Sequence, residues 1–99
     1  MTPVRFTPAA ERDIAEAAEW YSKRNRSLAG RFIAAVRETT QRIAEQPESF
    51  QIAVDDLRRA NLPGRWPYAL YYRLLPDNAI VVAALHQRMN RARLRNRTP

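Results

Sequence analysis

The stretch from Trp66 to Leu85 constrains the fold more than any other part of this sequence. Between residues 68 and 74, alternate side chains fall on opposite faces of an extended chain. One face carries Tyr68, Leu70, Tyr72 and Leu74, and the other carries Ala69, Tyr71 and Arg73. Pro76-Asp77-Asn78 is a turn signal, and the apolar run Ala79–Leu85 is typical of a strand covered on at least one face. Residues 66–85 are therefore predicted to form a β-hairpin.

Two helices are predicted before this hairpin. Thr7-Pro8 places a capping hydroxyl before a proline at the first helical position, and apolar residues then recur at helical spacing. This helix is expected to end near Arg24, and Trp20-Tyr21 near its end are expected to pack in the core and the helical hairpin rather than to stack on bases. Asn25-Arg26-Ser27 supplies a break and a second cap, and Pro47 ends the apolar series that follows. The two helices are expected to form an antiparallel hairpin.

The remaining segments complete one α+β domain over residues 1–99. Val4–Thr7 fits a short N-terminal strand, Glu48–Asp56 has the composition of a connecting loop, and Arg58–Leu62 begins an extended stretch. The helical hairpin is expected to pack on one face of a small antiparallel sheet. Residues 88–99 hold five arginines among twelve residues and form a basic tail that is either a short helix or disordered when free.

Composition excludes several kinds of site. The chain has no cysteine and one histidine, so it has no disulfide and no thiolate nucleophile, and a zinc site is not expected. We therefore predict neither a metal nor a cofactor. No apolar run approaches the ~18 residues of a membrane span, and the first ten residues lack a leader-like apolar core. These features predict a cytoplasmic protein with no membrane partner.

Positive charge is concentrated in the second part of the chain. Residues 1–57 hold 8 basic and 9 acidic side chains, whereas residues 58–99 hold 9 basic and 1 acidic. Because the whole excess of +7 arises after residue 57, we expect an anionic partner or substrate to bind there. The alternative interpretation is a solubilising surface with a frayed basic tail.

Four segments, in their order and spacing, resemble the RelE/ParE toxin superfamily. They are Phe6-Thr7-Pro8-Ala9-Ala10 with Asp13-Ile14 and Trp20-Tyr21, then Pro47, then Pro67–Arg73, and finally Ile80–Arg88. The resemblance covers nearly the whole chain. It implies the toxin of a type II toxin–antitoxin module, with a helical hairpin on a small sheet, held inactive by an antitoxin protein that wraps it.

The superfamily contains two activities, and the fold does not choose between them. RelE-like members cut messenger RNA in the ribosome without a metal, whereas ParE-like members poison DNA gyrase and are not nucleases. Metal-free RNA cleavage needs a group that takes the 2′-hydroxyl proton, a group that protonates the leaving oxygen, and cations near the phosphate. Under the ribonuclease alternative, the catalytic candidates are Arg73, His86 and Arg88. The structural alternative for His86 is a strand-end histidine that hydrogen-bonds a backbone group.

Two departures from the RelE-like pattern favour the gyrase poison. Resembling nucleases carry an arginine directly after the tyrosine that aligns with Tyr68, and this sequence has Ala69 there. They also commonly place a tyrosine in the C-terminal segment, and none follows Tyr72 here. The end of the last predicted strand, Leu85–Arg88, looks like the His-x-Arg sequence of ParE-like members. We therefore assign no catalytic residue on this interpretation, which leans away from an enzyme.

The expected partners are a cognate antitoxin and DNA gyrase, with the ribosome and messenger RNA as the alternative. An antitoxin helix is expected to lie against the hairpin or sheet, with its acidic residues paired to the basic ones. The predicted target-binding or antitoxin-binding residues are Arg59, Tyr71, Arg73, His86, Arg88, Arg91, Arg93 and Arg95. A basic nucleic-acid-binding module without toxic activity is a third hypothesis, although no recognisable DNA-reading helix supports it.

Overall fold

The two predicted helices form a helical hairpin in the computed structural model, which describes residues 1–89 and 91–97. Helix α1 (Pro8–Ser22) is capped by Thr7, whose hydroxyl accepts a hydrogen bond from the Ala10 N–H at 3.1 Å. Helix α2 (Arg26–Glu45) is capped by the Asn25 carboxamide. Helix α2 ends shortly before Pro47, because a proline disfavours helical backbone at the residue that precedes it. In the described part of the chain, no helix is long and apolar enough to cross a membrane.

A five-stranded sheet packs against the two helices. Its strands are β1 (Val4–Phe6), β2 (Ile52–Val54), β3 (Leu57–Asn61), β4 (Tyr68–Leu74) and β5 (Ala79–His86). They lie in the order β1-β5-β4-β3-β2, with β1 parallel to β5 and all other neighbours antiparallel. The predicted α+β fold is therefore confirmed, and the predicted hairpin is the β4–β5 pair.

The prediction of a connecting loop over Glu48–Asp56 is wrong in part, because β2 lies inside it. Val54 faces Leu57 across the two-residue turn Asp55-Asp56. Asp55 adopts the left-handed backbone conformation with φ of 50°, which a short polar side chain tolerates better than most residues. With only three residues, β2 is too short for alternation to distinguish a strand from a loop.

The main core lies between the helices and the facing side of the sheet, called here the helix face. Phe32 and Ile43 from α2 pack there with Leu70 and Tyr72 from β4, all four fully buried. The Tyr72 hydroxyl donates a hydrogen bond to the carbonyl oxygen of Pro47, just after α2. Burial raises the pKa of Tyr72 to about 12, because the surroundings disfavour the charged phenolate.

A β-bulge in β5 changes which side chains face the helices. Tyr71 pairs with Ala83 and Tyr72 with Val81, so Val82 has no direct partner on β4. Val82 and Ala83 consequently both contribute to a second apolar cluster on the opposite side of the sheet, called here the tail face. Because Val81 belongs to the main core, strand β5 is covered on both sides.

The C-terminal segment supplies the cover of the tail face. After β5 the chain forms a short 3-10 turn over Arg91–Leu94, and Leu94 is buried in the second cluster. Partly buried Met89 packs against the same cluster. Of the tail predicted over residues 88–99, Asn90, Thr98 and Pro99 lie outside the described residues.

Beyond the end of β1, side chains form hydrogen bonds with backbone groups at the edge of β5. Strand β1 pairs with β5 only as far as Val81, so none of the described strands pairs with residues 82–86 on that side. The Asp13 carboxylate accepts a hydrogen bond from the Ala84 N–H at 3.0 Å and pairs with the Arg97 guanidinium at 2.8 Å. Arg97 also donates to the Val82 carbonyl at 2.8 Å. One ion pair therefore joins α1, β5 and the tail.

Replacing Tyr72 with Phe should lower the free energy of unfolding by about 1 kcal/mol near neutral pH, because the Pro47 carbonyl loses its buried donor. The wild type should lose this advantage as the pH rises from about 10 towards 12, because the unfolded chain releases the Tyr72 proton first. Urea unfolding at about pH 8 and about pH 11 measures the difference. A difference that stays constant or widens with pH would contradict the assignment.

Candidate functional site

The candidate site lies at the end of the sheet where β4 begins and β5 ends. Tyr68 is paired with His86 in the β4–β5 register, and the Gln87 N–H donates to the Pro67 carbonyl at 2.8 Å. Four predicted binding residues, Arg59, His86, Arg88 and Arg91, border two hollows at this end of the sheet. These four residues are called the basic strand end below.

His86 forms the turn that leads from β5 into the tail. Its ring Nδ1 accepts a hydrogen bond from the Arg88 N–H at 3.0 Å, and its carbonyl accepts one from the Met89 N–H at 2.9 Å. The imidazole meets the Tyr68 ring edge-on, with centroids 5.2 Å apart. His86 is therefore a strand-end histidine that hydrogen-bonds a backbone group, as the structural alternative for this residue expects. Because Nδ1 is the acceptor, Nε2 is the ring nitrogen available to another molecule.

A groove of about 410 Å³ opens on the tail face of the basic strand end. Arg59 and Asn61 from β3 line one side of it, and exposed Arg91 from the tail lines the other. Tyr71 lies opposite Arg59 in the β3–β4 register and is only 5% exposed, so it forms a wall of the groove. No acidic side chain is among the described residues that line the groove. The groove therefore presents positive charge and amide groups to an approaching partner.

A second hollow, of about 500 Å³, lies on the helix face of the same strand end. It is called the aromatic hollow below. Its lining consists of Trp20, Tyr21, Pro67, Tyr68, His86, Arg88 and Met89. The prediction that Trp20-Tyr21 packs in the core and the helical hairpin is confirmed for Tyr21, which contacts Phe32. The core part is wrong for Trp20, which is 49% exposed, although its ring packs edge-on against Tyr21. Trp20 directly precedes Tyr21 in α1, so its side chain lies beside the row of α1 residues that faces the core and not within it.

Arg73 lies at the other end of the sheet. Its guanidinium donates to the Asp56 carboxylate at 2.7 and 3.1 Å, and this pairing lowers the pKa of Asp56. Arg73 lies five positions after Tyr68 along β4, which corresponds to about 17 Å. Arg73 also faces the tail side, whereas the His86 ring contacts Tyr68 on the helix side. The structure does not bring together Arg73, His86 and Arg88, the set named for the ribonuclease alternative.

The two remaining arginines of the predicted binding set lie further along the tail. Arg93 is exposed and its guanidinium approaches the Met89 sulfur at 3.5 Å. Arg95 is exposed and borders a separate small hollow that also includes Asp55. Of the eight predicted binding residues, the five that line the groove or the aromatic hollow are thus close together, and Arg73, Arg93 and Arg95 are not.

Sequence reasoning did not select Asn61 or Arg97 as residues of interest, and it assigned Trp20 to packing rather than to binding. Asn61 comes two residues after Arg59, so the two side chains lie on the same face of β3. This signal can be used only when the strand has already been assigned. Arg97 belongs to the basic tail, but no local pattern indicates that it pairs with Asp13, 84 residues earlier. Within residues 1–89 and 91–97, no three His, Cys, Asp or Glu side chains are grouped so that they could hold a metal ion.

Comparison with known proteins identifies a family and a structural neighbour. A family model described as "ParE toxin of type II toxin-antitoxin system, parDE" matches residues 4–91. A chain in a solved structure of the chromosomal ParDE TA system from P. aeruginosa superposes with a TM-score of 0.76 at 16% sequence identity. The superposition covers 87% of this chain and 96% of that one. No curated protein matches the sequence significantly.

We predict that neutral His86 carries its proton on Nε2, because Nδ1 is occupied as the acceptor for the Arg88 N–H. Long-range ¹H–¹⁵N correlation of the imidazole in mildly alkaline buffer distinguishes the two tautomers. Since His86 is the only histidine in the chain, its signals need no assignment. A proton found mainly on Nδ1 would show that the turn around Arg88 is built differently.

Proposed function

The chain belongs to the ParE toxin family of type II toxin–antitoxin systems, and from this premise we propose that it inhibits DNA gyrase by direct contact through the basic strand end. The family implies an antitoxin as its other partner. The proposal requires the protein to act in the cytoplasm, where bacterial gyrase works on the chromosome. On this view the protein acts by binding, and none of its residues has a catalytic role.

The observation that supports this proposal most is the collection of Arg59, Arg88 and Arg91 around His86 at one end of the sheet. Arg88 and Arg91 are exposed, and the described residues that line the two adjoining hollows include no carboxylate. Guanidinium groups bind carboxylates and phosphates through paired hydrogen bonds. The fitting partner surface therefore carries acidic side chains, or the phosphates of the DNA that gyrase holds.

The chemistry available at the basic strand end also favours contact over cleavage. The phosphate-binding cations are present, but the side chains that could transfer a proton are one histidine and the tyrosines that line the two hollows, Tyr21, Tyr68 and Tyr71. Tyr71 is only 5% exposed. Nδ1 of His86 is already hydrogen-bonded to the backbone. Burial raises the pKa of Tyr68, which makes its hydroxyl a poorer general base near neutral pH. Arg73 is held by Asp56 about 17 Å along the strand.

Neutralisation by an acidic antitoxin follows from the same charge distribution. A partner that approaches a chain of net charge +7 is steered towards the region after residue 57, where the positive excess lies. Carboxylates that pair with Arg59, Arg88 or Arg91 would hide the groups that we assign to gyrase binding. The toxin would then be inactive without any change in its fold.

Replacing Arg88 with Glu should raise the toxin concentration needed for half-inhibition of gyrase supercoiling by about tenfold or more. The reversed charge opposes the acidic partner surface that this proposal requires. Purified gyrase and relaxed plasmid are sufficient for the measurement, so the antitoxin and the host cell play no part.

The matched control is Arg37→Glu, which makes the same charge change on the exposed side of α2. Its inhibition should stay within about twofold of the wild type. Equal losses for the two variants would mean that net charge, rather than the basic strand end, governs inhibition. Full activity of Arg88→Glu would remove this residue from the contact.

A further inference from the structure

We infer that the aromatic hollow is an anchor site for the antitoxin, which places an apolar side chain, flanked by carboxylates, between Trp20 and Arg88. This inference rests on the proposed function in one respect: the antitoxin is assumed to neutralise the toxin by covering the basic strand end. It adds a binding site that is separate from the groove on the tail face.

The hollow has the composition of a hot spot for protein binding. Trp20 is 49% exposed although it is one of the largest apolar side chains in the chain. Beside it lie Tyr21, Tyr68 and Met89, whose aromatic rings and thioether extend the apolar surface inwards. Exposed aromatic residues grouped in a concave site are enriched where proteins bind one another. Its volume of about 500 Å³ accommodates an apolar side chain with part of its backbone.

Edge-to-face ring contacts hold the walls of the hollow in place. Trp20 meets Tyr21 with centroids 5.1 Å apart, and Tyr21 meets Trp66 at 4.8 Å. Tyr68 in turn contacts both Tyr21 and His86. Such pairs fix the rings relative to the core. A ligand that enters therefore orders few side chains, which reduces the entropic cost of binding.

The charges at the rim indicate which kind of apolar ligand fits. The Arg24 guanidinium lies over the Trp20 ring, 3.9 Å from its centroid, and exposed Arg88 is one of the residues that line the hollow. None of the described residues that line the hollow is acidic. An apolar side chain next to Asp or Glu would fill the hollow and pair with these arginines. This charge complementarity favours a segment of an acidic antitoxin as the occupant.

Occupation of the hollow would also explain how the antitoxin blocks the toxin. Arg88 lines the hollow and belongs to the basic strand end, and His86 lies between the hollow and the groove. A segment anchored on Trp20 would therefore lie directly over Arg88. Gyrase would lose access to this arginine while the groove kept its shape.

The test uses the full-length toxin and the antitoxin encoded beside its gene, with the dissociation constant of their complex as the readout. Trp20→Ala should raise that constant by about tenfold or more, and Trp20→Tyr should restore much of the affinity because it keeps a ring at the wall. Ile52→Ala is the matched control, because Ile52 is 52% exposed and lies on β2 at the far edge of the sheet. Its effect should stay within about twofold.

A gyrase assay on the same variants separates this inference from the proposed function. Trp20→Ala without antitoxin should inhibit supercoiling like the wild type, which also shows that the variant is folded. Unchanged antitoxin affinity, or equal losses for Trp20→Ala and Ile52→Ala, would overturn the inference. So would weaker gyrase inhibition with normal antitoxin affinity, because the hollow would then belong to the gyrase contact. If the wild type does not inhibit gyrase, circular dichroism checks folding and the affinity comparison still decides.

Discussion

The burial of β5 on both faces is the constraint on which the rest of this structure depends. The bulge at Val82 divides the side chains of this strand between the two faces, so that Val81 and Ala84 face the helices while Val82, Ala83 and Leu85 face the tail. The helical hairpin alone covers only one of these surfaces. Leu94 closes the other, and the Asp13–Arg97 pair satisfies the strand edge that β1 leaves open. The described residues of the tail, 88–89 and 91–97, are therefore part of the packed structure.

The position of the functional surface follows from that arrangement. Because β4 and β5 are antiparallel, the start of one and the end of the other meet, which brings Tyr68 and His86 together. The turn at His86 then directs Arg88 to the helix side and Arg91 to the tail side. Arg59 reaches the same end from β3. The result is a compact set of cations that suits the contact with an acidic partner proposed for this family member.

The features that the sequence predicted well depend on local physics. The Thr7 and Asn25 caps, the helix end before Pro47 and the alternation over Tyr68–Leu74 are each specified by neighbouring residues. Strand β2 was missed because three residues are too few to show alternation. The bulge at Val82 and the Asp13–Arg97 pair were not predictable, because they depend on segments that are distant in sequence. The site shows the same division. The charge distribution predicted a site in the second part of the chain. Only the strand register shows that Arg73 and His86 lie at opposite ends of the sheet.

Controlled induction of this chain in a bacterial host without antitoxin tests the central claim most directly. DNA synthesis and protein synthesis are followed separately by pulse labelling from the moment of induction. Gyrase inhibition predicts that DNA synthesis falls first and that a DNA-damage response appears while translation continues. Immediate loss of protein synthesis with cleaved messages would contradict the account, and would mean that the basic strand end acts on RNA despite Ala69 and the absence of a tail tyrosine.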